Sequence, residues 1–152
     1  MTMTKNQILI DLSESDMTKF GKEDFERQSL PQKVFSAIWQ VESEVNNGGF
    51  LQYFSNGAES ALFVVEALET IKAPKTANIC DRAIVEAFPH GLPHTAEAIG
   101  SEAAELSQGI AEKLESLDTE FLSYPHNLTD LLFAYVKAHP EEFGAVPEPE
   151  DD

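Results

Sequence analysis

His90 and His94 stand four residues apart, the spacing at which two imidazoles on one helical face can hold a metal ion. Gly91 and Pro93 lie between them, so a loop carrying two exposed histidines is the plainer expectation. No Cys or acidic third ligand stands nearby in the manner of a His-Glu-x-x-His motif, and neither a metal nor another cofactor is expected. Cys80, the only cysteine, sits between Ile79 and Asp81 in an amphipathic stretch. It reads as a small packed apolar residue rather than a nucleophile, and a single thiol excludes an internal disulfide. Asn47-Gly48-Gly49 lacks the trailing Lys-Ser/Thr and the preceding strand of a phosphate loop, and no Gly-x-Ser-x-Gly elbow occurs. Among 27 acidic side chains any one pair is uninformative, and a general acid needs a pKa raised by burial. The expectation is a binding protein and not an enzyme.

Charge is the strongest signal. Ten Lys and Arg stand against 27 Asp and Glu over 152 residues, a net charge of -17. Solubility alone explains such a balance, and so does a negative field that steers a cationic partner. The distribution favours the second reading. Residues 1–75 carry 7 basic and 11 acidic side chains, whereas residues 76–152 carry 3 and 16. Phosphates demand a basic patch and none is evident, so direct nucleic-acid binding is not expected. The run Ile8-Leu9-Ile10 is too short for a signal peptide, and no stretch approaches the roughly 18 apolar residues of a membrane span. A cytoplasmic protein is the expectation.

The elements that must position these charges are helical. Leu30, Val34, Ile38, Val41 and Val45 mark one face of a helix over residues 29–46, with Phe35 and Trp39 on its shoulders. Pro31 suits its first turn, and Asn46-Asn47-Gly48-Gly49 is expected to stop it in a helix–helix corner. Phe50 to Phe54 reads as one or two helical turns in the core. Asn56, with Glu59 three residues on, is expected to cap a helix running to about Lys72, with Leu62, Val65 and Leu68 buried. Pro74 opens a further helix to Phe88, and residues 89–93 form a loop. Thr95 or Ser101 is a candidate cap for the next helix. Residues 101–122 read as one helix with Ala103, Leu106, Ile110, Leu114, Leu117 and Phe121 as its stripe, bent if anywhere at Gly109. A last helix starts near Pro125 and ends at His139-Pro140. The expected architecture is all-α, one domain of six to eight helices over residues 1–139, with residues 140–152 as a flexible acidic tail.

Carboxylates three or four apart on a helix lie about 5–6 Å apart at Cβ, and duplex DNA presents one negative charge per roughly 1.7 Å of axis. Rows of Glu at this spacing are a coarse copy of a phosphate row. The candidate rows are Glu59, Glu66 and Glu69, then Glu102, Glu105, Glu112 and Glu115, continued by Asp118 and Glu120. Lys and Arg of a DNA-binding protein would bond such carboxylates in place of phosphate. Each row is equally accounted for as the solvated side of an amphipathic helix.

The segment Trp39-Gln40-Val41-Glu42-Ser43-Glu44-Val45-Asn46-Asn47-Gly48-Gly49-Phe50-Leu51-Gln52-Tyr53-Phe54-Ser55-Asn56 resembles the signature of the bacterial DNA-mimic protein family. That resemblance implies an all-helical fold, a homodimer, and a negative surface that competes with DNA for a transcription factor of the helix-turn-helix type. It transfers no functional residue: the motif itself reads as a helix stop, a turn and core aromatics. An acidic immunity-type module that neutralises another basic protein, such as a nuclease, is the alternative, and an enzyme with an unrecognised carboxylate site is a third.

Overall fold

The computed structural model describes residues 3–150, and among them every regular element is helical. In chain order they are α1 (Lys5–Glu14), α2 (Leu30–Asn56), α3 (Val64–Thr70), α4 (Pro74–Ala87), α5 (Ala96–Ala103), α6 (Gln108–Leu122), α7 (Leu128–Lys137) and α8 (Pro140–Phe143). Two 3-10 turns, Phe25–Arg27 and Ala58–Ser60, flank α2. The all-α expectation of six to eight helices is met.

The chain punctuates these helices with local chemistry. Thr4 with Gln7 and Ser29 with Gln32 form reciprocal capping boxes at α1 and α2, satisfying amides that the first helical turn leaves without partners. Thr95, Ser107 and Asn127 each accept an amide from the first turn of α5, α6 and α7. α4 begins at Pro74 as the sequence indicates, and the orphan amide of Lys75 donates 3.1 Å to Nε2 of His126.

α2 is the central element. α3, α5, α6 and α7 all pack on it, and α4 bridges α3 and α6. Val34, Ile38 and Val41 are fully buried along its first half. Its second half supplies Phe50, Tyr53 and Phe54, which are fully buried too. Phe50 meets Phe121 of α6 edge-on at 5.8 Å, and Phe54 meets Phe88, at the end of α4, at 5.1 Å. Such edge contacts suit the ring quadrupoles. Tyr53 keeps its hydroxyl satisfied by Ser60 at 2.6 Å.

Several expectations need correction. α2 runs on through Asn46, Asn47 and Gly48 and kinks only at Gly49 (φ 82, ψ -175). That backbone region is open essentially to glycine alone, so one residue does the work expected of four. Asn56 ends α2 ahead of Gly57, and no side-chain cap forms there. Residues 101–122 are two helices: α5 closes at Ala103, and Ser107 caps a new start, with no bend at Gly109. Leu30 and Leu62 are 60% and 52% exposed instead of buried. In the segment read as an acidic tail, α8 buries Phe143, whose ring lies 5.9 Å from that of Phe35, and Val146 packs on the core.

Candidate protein-binding surface

The nine acidic residues singled out from the sequence fall into three sets: six in outward pairs, Glu59 by itself, and Asp118 with Glu120. Glu66 and Glu69 lie three apart on α3, where burial of Val64, Ala67 and Leu68 turns both outward. Glu102 ends α5, and Glu105 stands in the turn beyond it, its amide donating 3.1 Å to the Glu102 carbonyl. Glu112 and Glu115 lie on α6 opposite Leu114, Leu117 and Phe121. All six are exposed and make no ion pair among the described residues. The two expected rows are thus broken into three pairs. Within a helix, a three-residue step rises about 4.5 Å, against roughly 3.4 Å per phosphate along one strand of DNA.

Glu59 is exposed but stands on the 3-10 turn Ala58–Ser60, off the α3 row. That turn packs against α5, so Glu59 accompanies the α5 side of the molecule. Its carboxylate is 3.5 Å from Nε2 of Gln40, a long contact that leaves its charge intact.

Asp118 and Glu120 face the flanks of α6 and are engaged. Glu120 is held by Arg82 of α4 through two bonds of 2.7 and 3.0 Å, the fork geometry that guanidinium favours. The Arg82 hydrogen bond keeps the Glu120 carboxyl below its ordinary range. Farther along the same flank, Lys113 pairs with Glu86 of α4 at 3.3 Å. Asp118 lies on the opposite flank, against the kink of α2, and accepts 2.7 Å from the Phe50 amide. Burial pushes its carboxyl up, the Phe50 amide pulls it back in part, and neighbouring Glu115 pushes it up again. A Cβ on Gly49 would fall on the Asp118 carboxylate. Gly49 is therefore required twice, for its positive φ and for the approach of this side chain.

The Asn-Gly-Gly-Phe stretch is thereby tied to α6: Gly49 makes the kink, Asp118 satisfies the amide that the kink frees, and Phe50 packs on Phe121. A model of the DMP19-like protein family matches residues 26–139. The chain belongs to that family. The match agrees with the resemblance to DNA-mimic proteins carried by residues 39–56. The DMP19-like region extends from the 3-10 turn before α2 to just past α7 and contains all nine acidic residues. It leaves out α1 and α8, which both pack against α7. No curated protein matches the sequence.

Other residues with chemical potential are dispersed. Cys80 is buried and its thiol is pushed well above the ordinary range by desolvation. His90 and His94 are exposed in the loop before α5. Among the described residues no three His, Cys, Asp or Glu gather as metal ligands, and no helix is long and apolar enough to cross a membrane. Sequence reasoning missed one polar group, formed by Glu42 and Asn46 of α2 with Tyr124 of the α6–α7 turn. Two of its members lie inside the family signature, which was the available signal.

Proposed function

We propose that this protein is a DNA mimic that works by binding and not by catalysis. It occupies the DNA-binding surface of a basic, helix-turn-helix type transcription factor in the cytoplasm, competes there with DNA, and does so as a homodimer. The observation that supports this reading most is the split among its carboxylates. The six at Glu66, Glu69, Glu102, Glu105, Glu112 and Glu115 point outward in pairs and carry no cation among the described residues, whereas Glu120 is paired with Arg82 and Asp118 is built into the fold. Fixed anions without partners can receive the Lys and Arg of another protein without first losing an internal contact, and they steer it from a distance.

Immobilised protein should capture such a regulator from lysate at low salt and release it as salt rises. Changing Glu105, Glu112 and Glu115 together to Gln should lower the affinity at least tenfold, with an unchanged helical circular-dichroism spectrum. Capture of a basic toxin or nuclease instead would favour an immunity-type module, and unchanged affinity would move the contact face elsewhere.

A further inference from the structure

Glu42 is the carboxylate that the acidic pairs do not explain. It lies on α2, which carries none of those pairs, and lines a cleft of about 580 Å³ with Asn6, Tyr124, Asn127, Leu128 and Thr129. Unlike those exposed acids it is half-buried, and burial pushes its carboxyl up. Nothing cationic compensates it: none of the five ion pairs among the described residues includes Glu42. Asp118, a second half-buried carboxylate packed against α2, at least receives a backbone amide.

The surroundings of Glu42 are arranged rather than incidental. Asn46 donates 2.7 Å to the Glu42 carbonyl and 2.8 Å to the Tyr124 hydroxyl. Tyr124 lines the same cleft, and its hydroxyl opposes the upward push that burial gives the Glu42 carboxyl. Tyr124 holds this position at φ 49, a left-handed conformation that disfavours a bulky side chain. The N-terminus of α7 reaches the same cleft and would by itself attract an anion. That demand is already met, since the Asn127 side chain accepts the Asp130 amide and Asp130 stands in the first turn. Asn6 and Thr129 have side chains with no hydrogen-bond partner among the described residues, so both remain open at the rim.

A ligand for this cleft must bring positive charge to Glu42 and donors to several neutral oxygens around it. An anion is repelled, and an apolar group would strand the carboxylate. A planar guanidinium has five donors and no acceptor, which suits a cleft lined by Glu42 with the neutral oxygens of Asn6 and Thr129, whereas an ammonium is a point charge. We infer that the cleft between α1, α2 and α7 is a guanidinium site that receives an arginine side chain of the cationic partner. The arginine source rests on the function proposed above; the guanidinium preference does not. A desolvated ion pair of this kind discriminates more sharply than the exposed pairs, where water and salt screen the charge.

The test is an amide-resolved NMR titration of the intact chain with N-acetyl-arginine amide, using N-acetyl-lysine amide at equal ionic strength as comparison. The arginine compound should give saturable shifts centred on Glu42, Tyr124 and Thr129. Glu42→Gln should weaken its affinity at least tenfold and Tyr124→Phe about threefold, with the remaining amide spectrum unchanged. Equal shifts with the lysine compound, shifts spread over Glu66, Glu112 and the other exposed acids, or full binding to Glu42→Gln would each overturn the site. If the site holds and Glu42→Gln also weakens capture of the protein partner, arginine is the source. A partner affinity untouched by Glu42→Gln overturns that assignment. Because the probe is a small molecule, its result is independent of whether the partner binds DNA.

Discussion

Glu112 and Asp118 sit on the same helix, six residues apart, and do different things. Glu112 projects into solvent, whereas Asp118 accepts the amide that the kink at Gly49 would otherwise leave unpaired. Removing the acceptor should therefore cost stability. Asp118→Ala should lower unfolding free energy by about 1–3 kcal/mol, the cost of an orphaned buried donor, while Asp118→Asn keeps an acceptor and should lose little. Urea denaturation of the two variants separates them. The pH dependence adds a signature. Burial raises the folded-state pKa of Asp118 above its unfolded value, so the protonation-linked part of its contribution is fully present below the unfolded value and is lost as pH rises through the raised one, while the hydrogen bond from Phe50 remains. Asp118→Asn should flatten the stability profile just above the ordinary carboxylate range.

At the level of the helices, the caps decide where charges end up. Ser107 starts α6 afresh four residues after α5 closes, and this break separates Glu102 and Glu105 from Glu112 and Glu115. Ser107→Ala should cost about 1 kcal/mol, with a corresponding fall in the urea midpoint. The same junction shows how far sequence alone reaches. Ala103, Leu106, Ile110 and Leu114 keep one apolar stripe across it, because Ala104 stays in the right-handed helical region and Glu105 and Leu106 bond back to Glu102 and Ala103 before Ser107 turns extended. Periodicity therefore gives the buried face correctly and the continuity wrongly. Ser107 also carries Ile110, not Glu or Gln, at the third helical position, so no capping-box signature marks it. At Thr4, by contrast, Gln7 completes such a box, a signal for the start of α1 that the sequence reading did not use. Pro74 and the buried aromatics of α2 are readable because proline and long apolar side chains act locally. The engagement of Glu120 by Arg82 and of Asp118 by Phe50 is not, since 38 and 68 residues separate the partners.

Across the entire chain, a net charge of -17 and five ion pairs among the described residues leave most carboxylates to repel one another. Screening should relieve that repulsion: raising ionic strength from about 0.01 to 0.15 M shortens the Debye length from roughly 30 to 8 Å and should raise the melting temperature. The same screening should weaken attraction to a basic partner, so stability and affinity should move in opposite directions with salt. Whether the outward acidic pairs substitute for phosphate is decided by fluorescence anisotropy of a labelled operator duplex held by the captured regulator, titrated with this protein at low salt. The native chain should release the DNA, and a variant with Gln at positions 66, 69, 102, 105, 112 and 115 should release none. DNA that stays bound under excess native protein, or equal release by the Gln variant, would mean that these carboxylates do not stand in for a nucleic-acid backbone.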